Sequence, residues 1–196
     1  FDIEYWLLEE AKLQRQPKEK PLSRKVALIT GSGGGIGRAI ADKLITEGAN
    51  VVFTDISEDY LKEATAQYSP DQAIACKCDV TSAESIASAV QKASLQFGGL
   101  DIVVHSAGLA ISKPVEDTTE ADWDLLQDVL VKGQFLLSRA AANIMRKQNL
   151  EGNIINIVSK NGLVSGPNNA GYGTAKAAQM HMSRLLASEL APDQIR

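Results

Sequence analysis

Soft metal ligands are scarce in this sequence of 196 residues, which holds two cysteines and two histidines. Cys76 and Cys78 stand two apart in a strand-like stretch, where both side chains would point to one face. A metal or redox centre would need further Cys or His partners, and the only histidines are His105 and His181. Buried or half-buried thiols are therefore expected, and no metal site. Long apolar runs are missing too: none approaches the ~20 residues that a membrane helix needs. The start shows no basic-then-apolar signal pattern, so a cytoplasmic location is the default expectation. Neither sign of charge dominates. With 20 basic residues scattered among 24 acidic ones and a net charge of −4, the chain carries no electrostatic footprint for nucleic acid or an anionic membrane. Internal repeats and low-complexity tracts are absent.

What is present is the composition of a soluble globular domain, 44% hydrophobic and 22% charged, and long enough for one sizeable core. The chain opens at Phe1 without an initiator methionine, as expected of a piece of something longer. Residues 1–16 place Ile3, Trp6, Leu7, Glu10 and Leu13 near one side of a helix, a stripe that needs a partner surface. That surface is either this same domain or an upstream one. Pro17-Lys18-Glu19-Lys20-Pro21 then reads as a semi-rigid linker. The expected division is thus an N-terminal helix and linker over 1–22 and a single domain over 23–196.

From residue 25 onward, strand and helix patterns alternate. Apolar runs at 25–29, 51–54, 73–76, 101–104 and 152–158 read as strands. Between them lie a helix over 38–45, one that Ser57 can cap and that runs to about Tyr68, and one opened by a Thr81-x-x-Glu84 capping box with Ile86, Ala89, Val90 and Ala93 on one face. A long helix repeats Trp123, Leu126, Leu130, Gly133, Leu137, Ala140 and Ile144, and a last helix spans 172–190. This order predicts an α/β fold, a doubly wound parallel sheet with helices on both faces and ligand chemistry at the carboxyl ends of the strands.

At the first strand-to-helix turn stands Thr30-Gly31-Ser32-Gly33-Gly34-Gly35-Ile36-Gly37. Backbone without Cβ atoms can approach a diphosphate there, and the N–H groups of the helix start favour that anion. The G-x-G-x-x-G fingerprint fails from either Gly31 or Gly33, and no Gly-Lys-Ser/Thr ending follows. The pattern that fits is T-G-x-x-x-G-x-G through Thr30, Gly31, Gly35 and Gly37, and with it the sequence resembles the short-chain dehydrogenase/reductase family. Farther along, Tyr172 and Lys176 stand four apart on a helix and project from one face. An ammonium beside a phenol favours phenolate, which makes Tyr172 a candidate general acid/base.

The resemblance covers Arg24 to Arg196 and implies roles residue by residue. Gly31, Ser32, Gly35, Ile36 and Gly37 would cradle the cofactor's diphosphate. Asp55, with Ile56 after it, ends the second strand and would accept hydrogen bonds from the adenosine ribose hydroxyls while repelling a 2′-phosphate, so NAD is expected over NADP; a turn-forming aspartate is the alternative. Asp79 and Val80 resemble the adenine-pocket pair, in competition with a helix-cap role. His105-Ser106-Ala107-Gly108 stands where the family shows Asn-Asn-Ala-Gly; Ser106, Ala107 and Gly108 would lie against the cofactor, and His105 is either structural or faces its central part. Ser159, thirteen residues before Tyr172, matches the hydroxyl that holds the substrate oxygen, and Lys176 would also hold the nicotinamide ribose.

Two departures stand out. Leu130 occupies the place of an asparagine that supports the family's proton relay, and the chain stops where the family continues with two more strands and a substrate-covering segment, so the fold is expected to be C-terminally truncated. The N-terminal helix, the His-Ser-Ala-Gly turn and Ser159-Lys160-Asn161-Gly162 with Gly166-Pro167-Asn168-Asn169 resemble the dehydrogenase half of bifunctional rhamnulose-1-phosphate aldolase/alcohol dehydrogenases. That implies an NAD-dependent oxidoreductase acting on a small alcohol or aldehyde such as lactaldehyde, joined to an upstream aldolase domain. Pairing through the helices at 121–148 and 172–190 would give a homo-oligomer. A catalytically impaired NAD-binding sensor or scaffold is the rival reading.

Overall fold

Five short apolar runs form five strands in a computed structural model that describes residues 2–15 and 19–196: β1 (Val26–Thr30), β2 (Asn50–Asp55), β3 (Ala73–Lys77), β4 (Ile102–His105) and β5 (Asn153–Asn156). All neighbouring pairs are parallel, in the order β3-β2-β1-β4-β5. Parallel neighbours require crossovers, and helices supply them: α2 (Gly35–Thr46), α3 (Glu58–Thr65) and α4 (Ala83–Phe97) on the way to β4, then α5 (Glu120–Leu126) and α6 (Gly133–Gln148) before β5, and α7 (Ala170–Leu190) after it.

Period-two alternation in the strands divides the core into two layers. Ala27, Ile29, Val51 and Phe53 pack with Ala41 and Ile45 of α2 and Leu61 and Ala64 of α3. Val26, Leu28, Val52 and Val103 project to the other face and meet Ile86, Ala89, Val90 and Ala93 of α4 and Leu137, Ala141 and Met145 of α6. Cys76 and Cys78 are unpaired and belong to this second layer. Burial pushes both thiols up, Cys78 to about 11, which suits packing rather than reactivity. Because the chain winds outward from β1 to β3 and then returns to place β4 on the opposite side of β1, a crevice opens at the carboxyl ends of β1 and β4.

Local details differ from expectation in three places. The cap of α4 is Ser82, whose hydroxyl accepts from Ser85 N–H at 3.2 Å, while Thr81 turns back onto Asp79; the adjacent hydroxyl took the role because it stands at the extended residue before the first turn. The third helix ends at Thr65, short of Tyr68, whose hydroxyl instead donates to Asp42 at 2.7 Å. The long helix is broken into α5 and α6 by a turn of π-helix, Gln127–Lys132, which the regular apolar spacing did not reveal.

At the amino end, α1 (Asp2–Arg15) forms as expected, yet Ile3, Trp6, Leu7 and Leu13 are 77%, 69%, 60% and 66% exposed, so its stripe is not packed on this domain. Pro17 and Lys18 of the linker lie outside the described residues. At the other end, Ile195 bridges Gly152 in parallel and Arg196 N–H donates to the Gly152 carbonyl, along the outer edge of β5. Among the described residues no helix is long and apolar enough to cross a membrane.

Candidate active site

The crevice is built around the β1–α2 turn. Gly31 has φ +66°, and a Cβ on it would lie 2.7 Å from Ala107 Cα, so only glycine lets the turns after β1 and β4 meet. Gly37 is equally tight: a Cβ there would lie 2.8 Å from the carbonyl carbon of Gly31. Gly34 and Gly35, by contrast, face open space, with nothing within 4 Å of an added Cβ. Ser57, Ser82 and Thr119 cap α3, α4 and α5 with their side chains, but α2 starts at Gly34, as α7 starts at Asn169, with no side-chain cap and no acidic residue in its first turn. Its first N–H groups and positive helix end are thus left for an outside anion.

A cleft of about 500 Å³ runs from this turn to α7, lined by Gly31, Gly35, Ile36, Gly37, Asp55, Ser106, Ala107, Gly108, Tyr172 and Lys176. A second hollow of about 290 Å³ shares Gly31, Asp55, Ala107 and Gly108 with it and is closed by Ile56, Asp79, Val80, Leu125 and Val129. All but two of the residues given an outright catalytic or cofactor-binding role from the sequence therefore line one continuous crevice. The exceptions are serines. Ser32 is buried, its hydroxyl donating to the Ile29 carbonyl at 2.9 Å and accepting from Thr54 N–H at 2.8 Å, so it braces β1 against β2 and offers no side chain to the cleft. Ser159 stands beside the cleft wall formed by Ile157 and Val158, and its oxygen accepts from Asn161 N–H at 3.2 Å. Since that bond uses a lone pair, the hydroxyl proton is left to donate.

Asp55 is held in place by the backbone: one carboxylate oxygen accepts from Gly33 N–H at 3.1 Å and the other from Ser57 N–H at 3.0 Å. It is both a turn-former and an anionic edge of the cleft. Arg38 does not offset its charge, because it pairs with Glu63 at 3.0 Å. Asp79 likewise accepts from the Thr81 N–H and hydroxyl at 2.9 and 2.7 Å, a local turn at the rim of the second hollow.

On α7, Lys176 is only 6% exposed; its ammonium donates to the Ile157 carbonyl at 2.9 Å and lies 5.7 Å from the centroid of the Tyr172 ring. Desolvation holds the Lys176 pKa below its ordinary value. Leu130 is fully buried with Leu126 and Ala175, in a cluster that also takes in Leu109 and Tyr172. Leu130 lies in the π-turn, and its carbonyl accepts from Gln179 Nε2 at 2.7 Å. His105 lines neither hollow and is 1% exposed, so its side chain is not at the cleft surface. Sequence reasoning missed Tyr60, Leu109, Ala110, Ile157 and Val158 as walls of the cleft. Ile157 and Val158 were visible as the last residues before Ser159, at a strand's carboxyl end; Tyr60 gave no local signal.

Comparison with known proteins bears on the family and the fold. Residues 25–196 match the family model of short chain dehydrogenases. An uncharacterised oxidoreductase of Bacillus subtilis is 40% identical over 193 residues, which are 96% of this chain but 28% of that protein. An NAD-dependent glycerol dehydrogenase of Listeria innocua is 34% identical over 91% of this chain and 69% of its own length. Among solved structures, a short chain dehydrogenase from Mycobacterium smegmatis superposes with a TM-score of 0.87 at 33% identity, covering 94% of this chain and 80% of that one. An NAD+-bound xylitol dehydrogenase does so with a TM-score of 0.84 at 34% identity, over 90% and 69%.

Proposed function

The chain belongs to the short-chain dehydrogenase/reductase family of oxidoreductases, and on that premise we propose that it catalyses reversible hydride transfer between NAD and a small alcohol or aldehyde. The observation that carries this reading is that Tyr172 and Lys176 line the same cleft as the uncapped start of α2. A nicotinamide dinucleotide bound there would supply the hydride acceptor or donor. Gly31, Gly35, Ile36 and Gly37 would receive its diphosphate, Ser106, Ala107 and Gly108 its middle, and Ile56, Asp79 and Val80 its adenine. Asp55 would accept from two ribose hydroxyls and repel a phosphate in their place, which favours NAD.

The proton work falls to this chain's own side chains. Tyr172 takes the proton from an alcohol oxygen, or returns it to a carbonyl oxygen. Lys176, anchored on the Ile157 carbonyl, places a positive charge beside the ring, where it stabilises charge developing on the phenol oxygen. Ser159 donates to the same substrate oxygen with the proton that its bond from Asn161 leaves over. The experiment is direct: mix the protein with NAD and a panel of small hydroxy compounds and follow NADH absorbance. Absorbance growth that requires Tyr172 supports the assignment; a protein that binds NADH but turns over no member of the panel favours the sensor reading, to which the buried Leu130 lends weight.

Lactaldehyde, glycerol and xylitol head that panel. The polyols are those after which the two similar dehydrogenases are named; lactaldehyde comes from the reading that this domain is the dehydrogenase part of a bifunctional aldolase/dehydrogenase. Two observations fit a longer protein. The Bacillus subtilis relative is several times longer than the stretch it shares, and the match extends into the segment before β1, since it covers more of the chain than residues 25–196 do. The full reading frame tests it, an upstream aldolase domain being the expected result. Homo-oligomer formation through α5, α6 and α7 fits the exposed Trp123, Leu125, Phe135 and Leu185 on those helices, and light scattering checks it.

A further inference from the structure

His105 faces away from the cleft, and its neighbours fix which ring nitrogen carries the proton. It ends β4 in register with Thr30 of β1 on one side and Asn156 of β5 on the other, so the three side chains share one face of the sheet. Thr30 Oγ1 accepts from Ser106 N–H and from Ala107 N–H, each at 3.2 Å. A hydroxyl has two acceptor sites and one proton. With both sites taken, the proton is left for His105 Nδ1, 3.2 Å away. Nδ1 therefore accepts, and the neutral ring carries its own proton on Nε2, which is buried and faces the Leu130 backbone without closing a well-formed hydrogen bond.

The ring stays neutral because burial first, and then the ammonium of Lys176, hold its pKa down at about 4 against the opposing pull of the Leu130 backbone. Protonated, it would turn Nδ1 into a donor and force the Thr30 hydroxyl to give up one of its two amide partners. The strip those amides belong to is the one that presses on the glycine turn, since Ala107 leaves no room for a Cβ at Gly31.

We propose that His105 is a positioning residue: by accepting the Thr30 proton it turns that hydroxyl so that both lone pairs grip the Ser106–Ala107 backbone, and so fixes the spacing between the β4 turn and the glycine turn across which a dinucleotide lies. This rests on the dinucleotide reading above and adds to it a residue that touches neither hollow. The geometry also says which replacement can stand in. An asparagine amide oxygen falls near the place of Nδ1 and can accept, whereas phenylalanine fills the volume and accepts nothing.

Nitrogen NMR of the histidine-labelled chain without ligand gives the first test. A protonated Nε2 and a bare Nδ1 at His105 are expected; the opposite tautomer overturns the proposal. In NADH titrations, His105→Phe and Thr30→Val are each expected to raise Kd about fivefold, the worth of one hydrogen bond. The double variant should do no more than either alone, and His105→Asn should restore binding to within about twofold. With substrate, the effect should fall on KM for NAD rather than on kcat at saturation. Unchanged affinity in His105→Phe, or fold-changes that multiply in the double variant, overturn the role. Should His105→Phe fail to fold, Thr30→Val and the tautomer carry the test. A wild-type chain that shows the expected tautomer but binds no NADH sinks the dinucleotide reading and the role with it, whereas NADH binding that ignores residue 105 sinks the role alone.

Discussion

The Lys176 ammonium is tied at 2.9 Å to the carbonyl of Ile157, whose own N–H donates at 2.9 Å to the carbonyl of His105. Through that one residue the helix bearing the proposed acid/base pair is fastened to the end of β4, next to the glycine turn. A flexible four-carbon stem is thereby given a fixed end, and the charge beside Tyr172 is held rather than sampled.

Removing the phenol hydroxyl should therefore abolish the proton transfer without disturbing the cleft. Tyr172→Phe is expected to lower kcat at least ~10²-fold with NADH affinity little changed. Steady-state kinetics alongside an NADH titration check both halves, and near-normal turnover refutes the assignment.

Asp55 is expected to decide between dinucleotides. Asp55→Asn keeps the volume but has one acceptor oxygen where two N–H groups, from Gly33 and Ser57, now donate, and it carries no charge. The ratio of NADH to NADPH affinity should fall by about tenfold or more, as removal of a like-charge repulsion in a partly screened cleft requires. Parallel titrations with the two cofactors measure it.

Two glycines of the same turn should respond in opposite ways. At Gly37 an added Cβ would overlap the Gly31 carbonyl, so Gly37→Ala is expected to cost about 3 kcal/mol or more and to displace the turn. At Gly34 the backbone is extended and the space open, so Gly34→Ala should stay within about 0.5 kcal/mol of the parent. Urea unfolding of the two variants is the measurement.

The buried His105 predicts a pH dependence of stability with a definite sign. In the unfolded chain a histidine takes up its proton near pH 6.5, whereas in the folded protein burial and Lys176 hold it off to about 4. Its contribution is thus complete above about pH 6.5 and is lost as the pH falls toward 4, on the order of 3 kcal/mol in all. His105→Asn, which does not titrate, should show a shallower loss over that window in denaturant unfolding; identical slopes would contradict it.

Leu130 should behave as core. Leu130→Asn restores the family's residue type, but it puts an amide among Leu126, Ala175 and Leu109 at a fully buried position. The expected result is a loss of about 2–4 kcal/mol with no gain in turnover, read by thermal unfolding and kinetics together.

Much of this site was written locally. Strands buried on both faces must be apolar along their whole length, a glycine turn between such a strand and a helix can be recognised from its neighbours, and residues four apart on a helix share a face whatever surrounds them. These three facts gave the parallel sheet, the cradle at Gly31 to Gly37 and the pairing of Tyr172 with Lys176 from the chain alone. What the tertiary structure decided depends on register between distant strands. Ser32 turned inward because Thr54 of the next strand meets it; the π-turn at Leu130 lies where Gln179, from a helix far along the chain, donates to the Leu130 carbonyl. His105 acquired its orientation from Thr30, seventy-five residues away, since a side chain at a strand end has no neighbour in sequence that could tell it which ring nitrogen must accept.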